Sequence, residues 1–253
     1  TWQSQDGPEV QNAVISALDQ GYRHIDTAAI YRNELGVGKG IESSGIEREE
    51  IFITSKVWNP DQGYEETLRA FNQSLKKLNT HYLDLYLIHW PVKGKFPDTW
   101  RALEDLYVEG KIKAIGVSNF MIHHLEELLK TAKIKPMVNQ IEFHPRLAQP
   151  KLIEFCQRRQ IQVEAWSPMM KGRVSEIYEL VELGKEYEKT AAQITLRWAH
   201  QKGIVVIPKS TKPSRIGENS QIFDFQISEN EMQLIDSLDQ DFRIGPDPNN
   251  FNF

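Results

Sequence analysis

The chain has 253 residues, 40% of them from the AVILMFWYC set and 26% charged, ordinary globular values that exclude a disordered or fibrous protein. Its 30 basic and 35 acidic residues leave a net charge of −5 with no basic tract, which argues against nucleic acid as the main partner. No apolar run approaches the ~18–20 residues that span a bilayer. Cys156 is the single cysteine, which rules out an intrachain disulfide and a Cys-rich zinc site. With no charged-then-apolar leader in view, a reducing cytoplasm is the expected compartment.

Thr1-Trp2 reads as the tail of a first strand whose body lies upstream. Val10, Ala13, Val14, Ala17 and Leu18 then share one helical face, and Gly21 stops that helix. Short apolar runs follow at 23–26, 51–55, 83–89, 112–118, 137–141, 161–166 and 204–207. They are nearly continuous in apolar residues, as parallel strands buried on both faces should be. Gly36, Gly38 and Gly40 fall in a helical stretch between the first two runs and match no phosphate loop. Tyr64, Leu68, Phe71, Leu75 and Leu78 step by four and three, the spacing of a helix face. Pro97-Asp98 marks the start of a helix carrying Trp100, Leu103 and Leu106. Ser228 and Glu231 form a capping box ahead of Met232, Ile235 and Leu238. Residues 243–253, rich in Pro, Asn and Gly, read as an irregular tail that lies on the surface or covers a site.

Seven strands alternating with helices predict a parallel α/β fold. An eighth strand, from the Thr1 region, would close a (β/α)8 barrel. The doubly wound alternative calls for a Gly-rich fingerprint after a strand, and neither G-x-G-x-x-G nor G-x-x-x-x-G-K-[ST] occurs. The expectation is one barrel domain over 1–253, with its first strand truncated.

In such a barrel the chemistry sits where strands end and loops begin. The strand ends carry Asp26, Ser55-Lys56, His89-Trp90, Ser118-Asn119, Asn139-Gln140, Trp166-Ser167 and Lys209-Ser210. Singly, Asp26 reads as a helix cap, Lys56 as a solvated strand end and His89 as a hydrogen-bonded core histidine. Closure of the barrel would bring them to one mouth. Asp26, Lys56 and His89 lack a proton donor, and Tyr31 lies five residues beyond Asp26. A free phenol, with a pKa near 10, is a poor acid at neutral pH. A neighbouring ammonium lowers it, and a carboxylate keeps the ammonium charged. His89 could then hold a carbonyl oxygen in line with the phenol. A metal site built on His24, Asp26, His89 and His144 is the weaker reading, because no H-x-H or HExxH spacing supports it. His123 and His124 read as exposed on a helix.

The segments 22–31 (YRHIDTAAIY), 53–59 (ITSKVWN), 83–91 (LDLYLIHWP), 116–120 (GVSNF), 138–145 (VNQIEFHP) and 207–210 (IPKS) resemble the aldo-keto reductases, in order along the whole chain. AWSP at 165–168 and GPDP at 245–248 resemble the bacterial branch of 2,5-diketo-gluconate and glyoxal or methylglyoxal reductases. The resemblance implies a (β/α)8 barrel that binds NADPH/NADP+ without a Rossmann fold, with Asp26, Tyr31, Lys56 and His89 as its catalytic tetrad. It implies that Ser118, Asn119 and Gln140 hold the carboxamide of the cofactor. It places Trp166 against the nicotinamide, with Ser167 beside it. Lys209, Ser210, Thr211 and Arg215 would take the 2′-phosphate, and Glu218 and Asn219 the adenine. Trp2, Trp58 and Trp90 would wall the substrate cleft. The implied activity is reduction of aldehydes and small ketones by a monomer, with a small carbonyl as partner and neither nucleic acid nor membrane. A nucleotide-binding protein without catalysis and a metal-dependent barrel hydrolase stand as the competing readings.

Overall fold

The computed structural model describes all 253 residues. Helix α1 (Pro8–Asp19) precedes strand β1 (His24–Asp26). There follow α2 (Glu34–Ser43), β2 (Phe52–Val57), α3 (Tyr64–Leu78), β3 (Leu83–Ile88), α4 (Phe96–Val108), β4 (Ile112–Ser118), α5 (Ile122–Leu129), β5 (Val138–Glu142), α6 (Pro150–Arg158), β6 (Gln162–Trp166), α7 (Tyr178–Glu186), α8 (Ala191–Gln201), β7 (Val205–Val206), α9 (Pro213–Ser220) and α10 (Glu229–Asp236). The seven strands pair in sequence order, all parallel, from β1 to β7.

The curled sheet is the expected barrel architecture, with two differences in detail. β1 and β7 are its edges and do not pair with each other. The Thr1 nitrogen instead donates to the Asp26 carbonyl at 2.8 Å, and Asn33 Nδ2 donates to the carbonyls of Thr1 and Ser4. The last strand is also shorter than the apolar run 204–207 predicts. Only Val205 and Val206 pair, and Pro208, which has no N–H to donate, ends the ladder.

Helices α3, α4, α6 and α8 pack directly on the strands, while α1, α2, α7 and α9 lean on neighbouring helices. On α3 the buried stripe runs Thr67, Ala70, Phe71, Ser74 and Leu78. It is rotated slightly from the predicted face, so Leu68 and Leu75 lie at its border. Burying side chains such as Phe71 and Leu78 contributes about 1.5–3 kcal/mol each. The capping box at Ser228 and Glu231 is present, the Ser228 hydroxyl accepting from the Glu231 N–H.

The three alternate glycines of α2 explain how closely it packs. A Cβ added at Gly38 would stand 2.7 Å from the Leu78 carbonyl oxygen at the end of α3, and one at Gly40 would stand 2.9 Å from the Gln11 carbonyl of α1. Only residues without a side chain allow α2 to sit between those helices. The turn that precedes α2 carries Tyr31.

Candidate active site

The carboxyl ends of the strands form one mouth. Asp26 pairs in register with Thr54, and Lys56 lies two residues further along β2, on the same face. The Lys56 side chain is fully buried. Its Nζ donates to Asp26 Oδ1 and Oδ2, both at 2.7 Å, to the Thr27 carbonyl at 2.9 Å and to the Tyr31 hydroxyl at 3.5 Å. Tyr31 ends a 3-10 turn over Ala29–Tyr31, and Arg32 closes that turn in the left-handed region at φ 56°. His89 follows β3. Its ring meets Tyr31 edge-on at 5.8 Å and Trp58 at 5.1 Å. Asn119 Nδ2 donates to the His89 carbonyl at 3.0 Å, while His89 Nδ1 is buried without a partner.

The charge states follow from this geometry. Burial opposes ionisation of Asp26, but Lys56 and the Gln140 hydrogen bond outweigh it and hold the carboxyl below its usual range. Burial likewise opposes the Lys56 charge, and Asp26 and Tyr31 outweigh it, so its pKa is raised. Tyr31 is pushed up to about 12 by burial, against the downward pull of Lys56. The expected lowering of the phenol by the ammonium is therefore present as a pull, and burial is the larger effect. His89 is held well below its ordinary value by burial and then by Lys56, so its imidazole is neutral.

Beside this group, Ser118 Oγ donates to the Gln140 carbonyl at 2.9 Å, and Gln140 Nε2 donates to Asp26 Oδ2 at 2.9 Å. Asn119 sits at φ 64° and accepts from Trp166 Nε1 at 2.9 Å. Both amide donors of Asn119 and the Ser118 proton are committed within the protein. One amide hydrogen of Gln140 is committed to Asp26, which leaves its side-chain oxygen and its second N–H as the uncommitted parts. Ser167, at φ 51°, follows Trp166 on the wall of the same cavity.

That cavity, about 1160 Å³, runs from the tetrad past Trp166 to Lys209, Ser210, Arg215, Glu218 and Asn219. It also passes between the β1 and β7 edges onto Val10 and Val14 of α1. Lys209 and Arg215 are exposed and make no ion pair. Asn219 is buried, and the Glu218 carboxylate accepts from Thr190 Oγ1 at 3.0 Å. Two residues of the predicted set are not on the cavity wall: Lys56, fully buried behind Asp26 and Tyr31, and Thr211. Thr211 lies in the turn ahead of α9, where Ser210 Oγ accepts from the Lys212 N–H.

Trp2, Trp58 and Trp90 all line the cavity, and Lys171 Nζ lies 5.0 Å from the Trp2 ring centroid. The tail covers the mouth rather than the open surface. Phe253 stacks on Trp58 at 5.8 Å and meets Trp90 edge-on at 5.2 Å, and Phe251 lies 5.1 Å from Trp90. Asn59 Nδ2 donates to the Phe253 carbonyl at 2.9 Å. Sequence reasoning missed Asn59, Phe251, Phe253, Thr27 and Glu142. Of these, Glu142 had a signal, since it is an acidic residue in an apolar strand, two places beyond Gln140 and thus on the same face. His124, expected to be exposed, is half-buried because its Nδ1 accepts from the Met121 N–H and caps α5.

No group of three or more His, Cys, Asp or Glu side chains is arranged to hold a metal ion, and no helix is long and apolar enough to cross a membrane.

A profile described as the aldo/keto reductase family matches residues 1–240. A glyoxal reductase of Bacillus subtilis (strain 168) is 58% identical over 249 residues, covering 98% of this chain and 90% of that protein. An aldo-keto reductase from a Medee basin deep-sea metagenome library superposes with a TM-score of 0.96 at 48% identity, covering 99% of this chain and 93% of that one. The Bombyx mori aldo-keto reductase, solved in complex with NADP, superposes at 0.91 with 36% identity, covering 96% of this chain and 87% of that one. The ordered strand ends, the buried Asp26–Lys56 pair beside Tyr31 and these matches agree, and the chain belongs to the aldo/keto reductase family.

Proposed function

We propose that residues 1–253 act as one catalytic domain that reduces aldehydes and small ketones with NADPH. The substrates are small dicarbonyls such as glyoxal and methylglyoxal, or keto-sugar acids. The observation that carries this reading is the contact chain Asp26–Lys56–Tyr31 beside a neutral His89, with Asp26, Tyr31 and His89 on the wall of a single long cavity and Lys56 buried behind them.

The residues present fit the cofactor. One end of the cavity offers the Gln140 oxygen, Asn119 and the flat face of Trp166. The other end offers two exposed cations, Lys209 and Arg215, suited to a 2′-phosphate. NADPH supplies the hydride when bound. The protein supplies the proton and the field. Lys56, kept charged by Asp26, favours the tyrosinate that forms as Tyr31 gives up its proton. Burial keeps the phenol protonated at neutral pH until an oxygen bearing developing charge lies against it. A neutral His89 retains one N–H to donate to that oxygen. The aromatic wall of Trp58, Trp90 and Phe253 excludes water and limits the size of what enters.

The chain is read as a monomer of a reducing cytoplasm. For the compartment, the lone Cys156 supports this, being buried with its thiol pushed up to about 11. Sedimentation of the purified protein at one-chain mass supports the monomer, and a stable dimer refutes it.

The test of the activity is NADPH consumption over a panel of carbonyls, with Tyr31→Phe alongside. Turnover of glyoxal or methylglyoxal is expected to fall about 10²–10⁴-fold in the variant, with NADPH affinity within about twofold. A wild type that binds NADPH and consumes none would leave a nucleotide-binding protein in its place.

A further inference from the structure

Gln140 and Glu142 are successive inward residues at the end of β5. Gln140 holds Asp26. Glu142 does something the reaction scheme does not use. Its side chain is fully buried, and it pairs in register with Trp166 on β6, so the two side chains leave the sheet on the same face. Every group around its carboxylate is a donor. Oε1 accepts from the backbone N–H of Ile244 at 2.7 Å and of Gly245 at 3.1 Å, and His144 Nε2 stands 3.2 Å away. Oε2 lies 3.3 Å from the Gly245 nitrogen and 3.9 Å from Arg243 Nη1. The His144 contact requires the Nε2–H tautomer, and His144 Nδ1 has no partner.

A buried carboxylate is expensive to hold unless its oxygens are satisfied. Here the satisfaction comes almost entirely from a stretch of irregular backbone about a hundred residues away. That stretch is pressed against Trp166. A Cβ added at Gly245 would collide with the outer edge of the indole, while Trp166 Nε1 is tied to Asn119 on its other side. Beyond Gly245 the tail runs on to Phe251 and Phe253 over Trp58 and Trp90. Ile244, Gly245, Pro246 and Phe253 line the cavity.

We propose that Glu142 is a positioning residue that fastens the root of the tail, at Ile244 and Gly245, against Trp166 and so fixes the wall that the carbonyl substrate meets. It touches neither the reacting atoms nor the proton path. Its effect is on where the tail sits, and therefore on substrate binding rather than on turnover. The wall part of the proposal rests on the carbonyl-reductase reading above, whereas the fastening does not.

Glu142→Gln keeps shape and one acceptor oxygen but turns an NH₂ group toward the Gly245 N–H and Arg243. In the ligand-free protein, amide hydrogen exchange at Ile244 and Gly245 is expected to accelerate about tenfold or more, the loss of a charge-assisted hydrogen bond, with Leu85 and Ile115 of the sheet unchanged. With methylglyoxal and NADPH, KM is expected to rise about five- to tenfold, with kcat within about twofold. Gly245→Ala leaves Glu142 intact and displaces the same backbone sterically. It is expected to raise KM in the same direction, and it serves if the first variant does not fold. Unaccelerated exchange at Ile244 and Gly245, acceleration shared equally by the sheet amides, or faster local exchange with KM unchanged would each overturn the proposal. If no carbonyl is reduced even by the wild type, the functional reading fails, and the exchange result alone decides whether Glu142 fastens the tail.

Discussion

Asp26 and Glu164 are both carboxylates turned into the barrel, and both are nearly inaccessible to water. They reach opposite states. Asp26 receives two 2.7 Å contacts from Lys56 and one from Gln140, and is held ionised. Glu164 has a buried oxygen with no hydrogen-bond partner and His24 Nε2 at 3.8 Å. Burial, aided by the charge on Asp26, pushes Glu164 up to about 8, and burial pushes His24 down to about 4. Equal burial therefore does not set ionisation, and the partners do. The charge the chemistry needs lies where a buried cation answers it, and the neighbouring carboxyl stays neutral over much of the accessible pH range.

The sharpest way to break this contrast is to remove the answering cation. Lys56→Met leaves Asp26 buried and unpaired, and is expected to lower stability by about 3–5 kcal/mol. Denaturant titration reads that loss, and NADPH consumption should fall to background because Tyr31 loses its ammonium. A Lys56→Met protein as stable as wild type would show that the pair does not matter to the fold.

An exposed cation should behave differently. Arg215→Ala frees no buried charge, so stability should stay within about 0.5 kcal/mol. Affinity for NADPH should fall about 10–100-fold while NADH affinity barely changes, since only the former carries a 2′-phosphate. Equal losses for both cofactors would remove Arg215 from that role.

At Glu164 the effect is one of pH. A carboxyl whose folded pKa is raised from 4.5 to about 8 contributes stability at low pH, and that contribution is lost as pH rises through this window. Glu164→Gln should remove the slope. The variant should match wild type near the acid end and be the more stable of the two above the folded pKa. Parallel stability–pH curves for the two proteins would mean that Glu164 is not held neutral.

Much of the site was legible because strand ends are local features. Asp26, Lys56, His89, Asn119, Gln140 and Trp166 each stand at the end of an apolar run, and parallel register gathers such ends without further information. Tyr31 was reachable only through the need for a proton donor, since its place depends on a short turn and on the left-handed Arg32. The pKa of Tyr31 was not legible. Lys56 does pull it down, but the desolvation that outweighs this comes from packing over the whole mouth. The tail was readable only as irregular, because its seat is set by Glu142, Asn59 and Trp58, far away in sequence. Thr211 was drawn into the phosphate set by motif alone, and the turn ahead of α9 leaves it off the wall.

The close seat of α2 has a consequence for how this molecule tolerates change. At Gly38 the neighbour is main chain, which cannot swing aside as a flexible side chain would. One extra methyl there, on the outer layer and remote from any ligand, has to be absorbed by shifting a whole helix together with the phenol-bearing turn at its start. The spacing between hydroxyl and ammonium is thus guarded from the periphery, at a place where a survey of pocket-lining residues alone would find nothing to protect.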